Sequence, residues 1–372
     1  MPGSSIGKSF VVTSFGESHG RCVGVLVDGS PAGIPISAEE IQAELDKRKP
    51  SGHEISTPRI EVDQVEILSG IFQGYTTGAP ICLLVWNQDI KSDVYEEFRK
   101  KPRPGHADYP GFIRYKGFAD YRGGGRFSAR NTAGFVMAGA VAKKILRQMG
   151  VEILAHVVEI GGIGLTQEPT ITDIRTRTYS NVIRCADPAA AERMEKTILK
   201  AKADGDSVGG IVECKVLNFP VGVGDPIFDS IDADLAKFLL CIPAVKGVEF
   251  GSGFEAARLR GSEHNDQYTV KDGRIVTLTN NAGGILGGLT SGMPITTRIA
   301  IKPASSIPKA QRTVDLTTVE EATLSIKGRY DACVVPRAVP IMESCVAIVL
   351  ADHVVRLGLV RPPEKEDHEG KP

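Results

Sequence analysis

Residues 14–33 (SFGESHGRCVGVLVDGSPAG) hold three side chains that could do chemistry inside one glycine-bounded segment. Glu17, Ser18 and His19 lie between Gly16 and Gly20, and an apolar run follows directly. An imidazole can hold or release a proton near neutral pH, which is what general acid–base catalysis requires. Proton transfer beside a bound ligand is therefore a chemistry that these residue types could support.

Several loops elsewhere in the chain, most of them containing glycine, carry cationic side chains. They are RPGHADY with Arg103 and His106, YRGGGRFSAR with Arg122, Arg126 and Arg130, IKPASS with Lys302, and KGRYDACVVPR with Arg329 and Arg337. Glycine lets backbone N–H groups approach a ligand, and the planar fork of arginine suits carboxylate and phosphate alike. The segment SARNT would place Ser128 and Arg130 beside a helix N-terminus, where partial positive charge favours phosphate. This pattern predicts a site for a polyanion.

A solvated surface position is the alternative for each of these arginines, because most arginines taken singly are exposed. For Arg122 both interpretations stay open. Arg126 and Arg130 lie between a glycine run and a predicted buried helix, which favours a ligand site. His156 and His353 lie in apolar segments, ILAHVV and LADHVV, and are predicted to be packed structural histidines.

The overall composition limits the possible partners. The chain has 372 residues, 42% of them hydrophobic, which is enough for a large core in one domain or two. Lys and Arg number 44 against 45 Asp and Glu, so the net charge of -1 provides no overall attraction for nucleic acid or an anionic membrane. We therefore expect a small-molecule partner at a locally built anion site, with neither nucleic acid nor membrane as a partner.

The spacing of the cysteines and the N-terminal residues indicate in which cellular compartment the protein is expected. The seven cysteines are scattered and do not take the paired spacing of a zinc site or a redox dithiol. Residues 1–10 lack the basic start and apolar core of a signal peptide, and no uninterrupted apolar run is long enough to span a bilayer. These features predict reduced thiols, no metal and a cytoplasmic location.

Four helices are predicted to position the candidate loops. The first begins at the Ser37 capping box in SAEE and continues to the basic DKRK. A second, buried on most faces, reads TAGFVMAGAVAKKILRQMG and stops at Gly150. A more polar surface helix runs from the Asp187 cap to Gly205, and another buried helix reads PIMESCVAIVLADHVVRLG. No linker or repeat divides the pattern, so one domain is expected, with a disordered polar tail over residues 361–372.

Three segments of the sequence match nucleotide-binding motifs only in part. GSSIGKS has three residues between its glycines where a P-loop needs four, and no strand precedes it. GGGRFS places Ser128 where a dinucleotide fingerprint needs its third glycine. EILAHVVEIGGIG is a better strand-to-glycine candidate, but polar LTQEPT follows where a helix should begin. A nicotinamide-dependent oxidoreductase therefore stays open only as an alternative.

Taken together, the candidate segments resemble the chorismate synthase family. GESHGRCVGVLVDGSP, GRFSARNTAGFVMAGAV and GRYDACVVPRAVPIMESC are similar to its three signature segments, and RPGHADY, NNAGGILGGLTSG and IKPASS to its other hallmark stretches. The resemblance covers residues 6–358, and the order of the segments makes it specific. It implies an α+β fold of one large domain, residues 1–360, as a β-α-β sandwich with helices between β-sheets.

The resemblance implies a lyase of the shikimate pathway. Its reaction is the anti-1,4-elimination of phosphate from 5-O-(1-carboxyvinyl)-3-phosphoshikimate, giving chorismate, with reduced FMN as cofactor and no net redox change. Two carboxylates and a phosphate on the substrate, and a further phosphate on FMN, would account for the cationic loops. A homotetramer is implied as well, and reduction of the flavin by NADPH on the protein itself or by an external flavin reductase are both open.

The resemblance also implies roles for individual residues. His19 matches the histidine that stabilises the reduced flavin, His106 the one that protonates near the departing phosphate, and Asp331, helped by Ser18, the residue that relays the C6 proton. The implied substrate-side positions are Arg48, Arg103, Arg130 and Arg329. The implied flavin-side positions are Arg126, Phe127, Ser128, Ala244, Gly287, Lys302, Ser305, Ser306 and Arg329.

Three residues depart from the family pattern. Tyr330 stands where His or Ser is usual, and Ala332 where Pro is usual, so the backbone that places Asp331 would be less rigid. Glu54 stands where a second substrate-loop arginine is common, and an acid there would repel the same anion. A flavin- or phosphate-binding module without catalysis is therefore the non-enzymatic alternative.

Overall fold

Helices and strands are both spread along the chain in the computed structural model, which describes residues 3–50, 52–55, 62–88, 90, 92–326 and 330–360. The strands are β1 Ser5–Ile6, β2 Val11–Gly16, β3 Cys22–Asp28, β4 Glu66–Ser69, β5 Ile71–Phe72, β6 Tyr75–Thr76, β7 Ile81–Trp86, β8 Glu152–Ile160, β9 Ile163–Gly164, β10 Gly210–Leu217, β11 Val245–Phe250, β12 Tyr268–Lys271, β13 Arg274–Thr277, β14 Ile285–Leu286, β15 Leu289–Thr290, β16 Ile295–Ile301, β17 Gln311–Asp315 and β18 Glu320–Leu324. The predicted tail, residues 361–372, lies outside the described residues.

The helices complete this inventory. The α-helices are α1 Ala38–Arg48, α2 Tyr95–Lys100, α3 Asp108–Arg114, α4 Thr132–Arg147, α5 Ile171–Arg177, α6 Pro188–Ala203, α7 Ile231–Leu239, α8 Gly261–His264 and α9 Val335–Arg356. Short 3-10 segments span Arg122–Phe127, Ala129–Asn131, Thr178–Ser180 and Gly253–Arg258.

Two five-stranded antiparallel sheets form the outer layers. The first has the order β1-β2-β3-β7-β4, and the second has the order β11-β16-β10-β8-β9. In β3 the fully buried Val23, Val25 and Val27 alternate toward the interior, which is the period of a strand with one covered face. The nicotinamide alternative would need a parallel, doubly wound sheet, and no two of the described strands pair in parallel.

The helical layer lies between the two sheets. α4 packs against β3 on one side and α9 on the other, and α9 packs against β8 and β10 of the second sheet. α1 and α7 complete the layer through contacts with α4 and α9. α9 is apolar on most faces, as a helix enclosed by other elements must be. The predicted α+β sandwich with helices between β-sheets is confirmed.

The predicted helix ends depend on local hydrogen bonds. Ser37 Oγ accepts from the Glu40 N–H, and the Glu40 carboxylate accepts from the Ser37 N–H, so the predicted capping box of α1 is present. Asp187 accepts from two N–H groups in the first turn of α6. Gly150 follows α4 with a φ of +73°, a conformation that glycine adopts readily.

The last helix differs from its prediction because it begins at Val335 and continues through Pro340. A proline inside a helix has no N–H to donate to the carbonyl four residues before it. Here that carbonyl belongs to Pro336, and Arg184 Nη1 donates to it at 2.8 Å. The guanidinium replaces the missing backbone donor, so the helix extends beyond the proline in both directions.

α9 is also the one helix in the described ranges that is long and apolar enough to cross a bilayer, with 22 residues and a mean hydropathy of 1.7 over its most apolar 18-residue window. Glu343 and Asp352 interrupt the apolar sequence of this helix, in line with the expectation that no uninterrupted apolar run has this length. In the structure 94% of its most apolar window is buried inside the protein. These are the properties of a core helix.

Gly139 of α4 lies at a close approach to α9 and gives a test of the packing. A Cβ at this position would lie 2.7 Å from Ser344 Cα and 2.3 Å from its Cβ. We expect Gly139→Ala to lower the free energy of unfolding by about 1–3 kcal/mol, because overpacking outweighs the better helix propensity of alanine. Urea denaturation measures the change. Gly164→Ala, whose Cβ would meet nothing within 4 Å, should have no effect, and equal stability of the two variants would contradict the close approach.

Candidate active site

The turn between β2 and β3 holds Ser18 and His19 in buried positions. Asn87 Nδ2 donates to the carbonyls of Glu17 at 3.0 Å and Gly20 at 2.9 Å, which fixes both ends of the turn. His19 Nδ1 lies 2.9 Å from Ser92 Oγ. His19 is 5% exposed and Ser18 is 1% exposed, so both side chains face the protein rather than bulk water.

The glycine run at residues 123–125 separates two histidines. All three residues have a positive φ, at 62°, 80° and 51°, where side chains are rarely tolerated. A Cβ on Gly123 would lie 2.2 Å from His19 Cδ2 and 2.7 Å from Ser18 Oγ. A Cβ on Gly124 would lie 3.4 Å from His106 Cε1. The absence of side chains in this loop therefore allows His19 and His106 to approach it together.

His106 belongs to a network with Arg103 and Asp108. Arg103 Nε donates to Asp108 Oδ2 at 2.7 Å and Nη2 to Oδ1 at 2.8 Å, while His106 Nδ1 lies 2.6 Å from Oδ1. Burial alone would raise the pKa of Asp108, but hydrogen bonds from Arg103 and His106 outweigh it and hold that pKa well below its usual range. Asp108 is therefore an ionised carboxylate shared by the two cationic candidates.

Two aromatic side chains of α2 join the two histidine neighbourhoods. The ring of Tyr95 lies 5.1 Å from that of His19 at 76° and 5.4 Å from that of Phe98 at 88°, both edge-to-face. The guanidinium carbon of Arg103 lies 4.8 Å from the Phe98 centroid and 5.7 Å from the Tyr95 centroid. α2 therefore orients His19 and Arg103 from the same side.

Arg48 and Arg130 share a second carboxylate, Asp63. The three residues are 2%, 5% and 3% exposed. Arg48 Nη1 donates to Asp63 Oδ2 at 3.3 Å, and Arg130 Nη1 donates to Asp63 Oδ1. Arg130 Nε also donates at 3.0 Å to Oδ1 of Asn87, the residue that fixes the His19 turn. Two buried guanidinium groups therefore meet at one carboxylate, and guanidinium groups are side chains that suit an oxyanion.

The end of the glycine loop leads into α4. Ser128 Oγ accepts from the Arg130 N–H at 3.3 Å and caps the short helix before α4, so the predicted helix N-terminus at these residues is confirmed. Arg126 is exposed and its Nη1 donates to the Gly16 carbonyl at 2.9 Å. Phe127 is 40% exposed and its ring lies 6.3 Å from that of Tyr115.

The loop at residues 302–306 faces the loop that holds His106. Ser306 Oγ accepts from Arg103 Nη1 at 3.2 Å, and Lys302 Nζ donates to the Gly105 carbonyl. Ser305 also lies beside Gly105. The backbone N–H of Lys302 donates at 2.9 Å to the carbonyl of Ala244. Burial lowers the pKa of Lys302, and the nearby charge of Lys246 lowers it further.

Asp331 lies before α9 and pairs with a side chain of that helix. Arg337 Nη1 donates to Asp331 Oδ2 at 2.9 Å, and Arg337 Nε donates to the backbone carbonyl of Arg48 at 3.3 Å. Arg337 therefore links Asp331 to Arg48, the last residue of α1, whose side chain belongs to the site. Arg329 lies outside the described residues.

The three departures from the family pattern have defined surroundings. Tyr330 packs against the buried cluster of Phe98, Leu324 and Ile326, and burial, with the nearby Tyr95, raises the pKa of its phenol to about 12. The Ala332 carbonyl accepts from the Val208 N–H at 2.9 Å, which holds the backbone where the family usually has proline. Glu54 is exposed, and its backbone carbonyl accepts from Lys202.

One predicted residue lies apart from the others. Gly287 is in the exposed turn between β14 and β15, where an added Cβ would meet nothing within 4 Å. The adjoining Gly288 packs against Ser230 and Pro226 rather than against a residue of the histidine network. The structure therefore does not bring Gly287 together with the candidate residues around His19 and His106.

The structure also shows the surroundings of His156, His353 and Arg122, for which a structural or surface role was predicted or left open. His156 is fully buried and lies opposite Glu213 in the sheet, and His353 is 1% exposed. Both are packed histidines, as predicted. Arg122 forms a fork with Asp120 at 2.8 Å for each contact, with its side chain 46% exposed, which matches the surface interpretation.

Sequence reasoning missed several residues that organise the site. Asp108 had a signal, because it follows His106 by two residues and could pair with it once the loop turned. Tyr95 and Phe98 are spaced as neighbours on one helix face, but within a mostly charged segment. Asp63 had no local signal, since its partners lie 15 and 67 residues away.

Comparison with known proteins gives a consistent result across sequence and structure. The profile of the family described as chorismate synthase matches residues 10–355. The chain is 53% identical over 357 residues to the chorismate synthase of Dehalococcoides mccartyi, covering 96% of this chain and 98% of that protein. It is 53% identical over 362 residues to the chorismate synthase of Methanosarcina mazei, covering 97% of this chain and 99% of that protein. A crystal structure of a chorismate synthase matches with a TM-score of 0.74 at 31% identity, covering 95% of this chain and 93% of that chain.

The shared carboxylate gives a prediction about stability. We expect Asp63→Asn to lower the free energy of unfolding by about 3–5 kcal/mol, because two buried guanidinium groups lose the negative charge that they share. Denaturant unfolding measures the loss. Glu192→Gln removes the exposed partner of Lys196 on α6 and should leave stability unchanged. If both variants unfold at the wild-type midpoint, Asp63 does not stabilise the site.

Proposed function

The chain belongs to the chorismate synthase family and is a lyase of chorismate biosynthesis, and from this premise we propose that it releases phosphate from 5-O-(1-carboxyvinyl)-3-phosphoshikimate by anti-1,4-elimination. The observation that carries this proposal is that two histidines, His19 and His106, lie beside the adjacent glycines Gly123 and Gly124 of one loop. Two separate proton donors at one loop suit a reaction that needs protons at two separate places.

The substrate has two carboxylates and a phosphate, and buried guanidinium groups are the side chains that suit them. Arg48 and Arg130 are buried around Asp63, and Arg103 is buried beside Asp108. Arginine stays charged when buried and binds oxyanions in a bidentate manner. We assign these three residues to the substrate, and the family pattern adds Arg329.

Reduced FMN is the proposed cofactor, and the flavin-side residues suit a phosphorylated ring system. Lys302 is a partly buried ammonium that pairs with a carbonyl, and in the described ranges no carboxylate pairs with it. A phosphate would supply the countercharge, with the exposed Arg126 as a second cation. Ser128, Ser305 and Ser306 offer hydroxyls, and Ala244 and Phe127 also belong to the set implied by the family. Gly287 is implied by the family as well, but it lies apart from the other residues of the set.

Arg126, Ser128 and Lys302 would hold reduced FMN, which would supply electron density transiently for an elimination with no net redox change. His106 donates a proton toward the departing phosphate, and Arg103 beside it stabilises the charge that develops there. His19, beside Gly123 of the same loop, would hold a proton for the reduced cofactor. Asp331, with Ser18, accepts the proton that leaves C6.

The proposal extends to assembly and supply. We propose a homotetramer, a cytoplasmic location, and a reduced flavin supplied either by an external reductase or by the protein itself with NADPH. Size-exclusion chromatography with light scattering measures the assembly. NADPH oxidation by the purified protein with FMN distinguishes the two sources of reduced flavin.

The elimination is tested by its stoichiometry. Under anaerobic conditions with FMN reduced by dithionite, we expect many phosphates released per flavin without further reductant, and none with oxidised FMN alone. The electrons return to the cofactor in an elimination, whereas a hydride transfer consumes one reduced cofactor per product. One reduced flavin or NADPH consumed per phosphate would overturn the mechanism. A flavin spectral change without phosphate release would instead favour the non-enzymatic binding module.

The glycine loop gives a second prediction for activity. Gly123→Ala should slow phosphate release by roughly 100-fold, because its Cβ would displace His19 and Ser18 and small displacements of catalytic groups have effects of that order. Gly222→Ala is the matched control, since Gly222 also has a positive φ of 78° but its Cβ would meet nothing within 4 Å. Thermal unfolding of both variants corrects for the shared backbone strain. Equal rates in the two variants would show that contact with Gly123 does not position His19.

A further inference from the structure

We propose that Asp108 is a positioning residue that fixes the imidazole of His106 and the guanidinium of Arg103 in one orientation. The inference rests on the proposed function only for the roles of His106 and Arg103 at the leaving phosphate. Asp108 itself need not touch the substrate.

The contacts of Asp108 use both carboxylate oxygens. Oδ2 accepts from the Arg103 backbone N–H at 3.0 Å and from Arg103 Nε at 2.7 Å. Oδ1 accepts from Arg103 Nη2 at 2.8 Å and lies 2.6 Å from His106 Nδ1. The side chains of Arg103, His106 and Asp108 are 6%, 18% and 13% exposed, so water competes little for these contacts. One carboxylate therefore fixes two side chains and the backbone of the 103–106 loop.

The chemistry of these groups determines where the proton of His106 lies. An ionised carboxylate can only accept hydrogen bonds, so the nitrogen that faces it, Nδ1, must carry hydrogen. In the neutral ring the lone pair is then on Nε2. When the ring is protonated, the labile proton is on Nε2, and the bond from Nδ1–H to Asp108 is the same in both states. His106 can therefore give up its proton without turning.

A carboxylate in this position orients an imidazole and stabilises its protonated form without taking the proton itself. The hydrogen bonds that hold the pKa of Asp108 well below its usual range are consistent with that behaviour. Arg103 Nη2 lies 3.0 Å from Nδ1 and 3.2 Å from Nε2 of His106, so the guanidinium is in direct contact with the imidazole. Asp108 provides the negative charge that allows the guanidinium and the imidazole to remain in contact when the ring is protonated.

Asparagine cannot reproduce this arrangement. Its side chain has one acceptor oxygen and one donor nitrogen, whereas four donor contacts converge on the two oxygens of Asp108. Asp108→Asn must therefore lose contacts to Arg103 or reverse the tautomer of His106. We expect kcat for phosphate release to fall roughly 10²–10⁴-fold, the range found when a general acid or its orienting carboxylate is removed.

A double-mutant cycle separates a positioning role from a general structural one. If Asp108 acts through its partners, adding Asp108→Asn to His106→Ala should reduce kcat by less than about 10-fold further, because residues that act as a unit are not additive. Full multiplication of the two separate losses would overturn the proposal. Glu152→Gln is the matched control, since Glu152 forms a similar fork with the exposed Arg175 at 2.7 and 2.6 Å. Its rate should equal that of the wild type.

The tautomer of His106 can be measured by NMR in the absence of any enzymatic turnover. Long-range ¹H–¹⁵N spectra of histidine-labelled wild-type protein, at a pH where the ring is neutral, should show His106 protonated on Nδ1. The signal is assigned by its loss in His106→Ala, and in Asp108→Asn it should move toward the Nε2–H pattern. An Nε2–H tautomer in the wild type would overturn the inference even for an active enzyme. Conversely, an Nδ1–H tautomer in a protein that releases no phosphate would uphold the inference and refute the proposed function.

Discussion

Buried cations need countercharge, and most of the site follows from how this protein supplies it. Moving a guanidinium out of water costs several kcal/mol unless an anion and further hydrogen bonds replace the solvent. Asp63 serves Arg48 and Arg130, Asp108 serves Arg103, and Asp331 serves Arg337. Each carboxylate comes from a different segment, so the site can assemble only when the surrounding fold has brought those segments together.

The antiparallel architecture explains how distant segments meet. The β2–β3 turn supplies Ser18 and His19, the end of β7 supplies Asn87, and the segment before α4 supplies the glycine loop and Arg130. Asn87 contacts both the turn and Arg130, so the first sheet and the helical layer are joined at the site itself. The loops at 103–106 and 302–306 close the other side through Arg103 and Ser306. The 302–306 loop follows β16, so the second sheet also takes part.

Local signals in the sequence predicted local structure well. The Ser37 capping box and the Asp187 cap involve residues two or three apart, and they appear where the sequence indicated. The glycine-bounded turn and the cationic loops pointed to His19, His106, Arg103 and Arg130, the family resemblance gave them roles, and the structure gathers them around one loop. Asp63, Asp108 and the aromatic pair of α2 were not predicted from the sequence. Their roles depend on contacts with residues that come near only in the folded protein. The start of α9 was missed for the same reason, since Arg184 lies 152 residues from the carbonyl that it satisfies.

Arg184 differs from the other buried cations because its described hydrogen bonds go to backbone carbonyls, those of Pro336 and Lys47. Burial lowers its pKa, so its charge is maintained at a cost. Proline at position 340 helps to offset that cost, because any other residue would restore an N–H that competes for the Pro336 carbonyl. Positions 184 and 340 are therefore coupled: a lineage that replaces the proline loses one of the contacts that favour an arginine in the interior, so a change at position 184 becomes easier to accept.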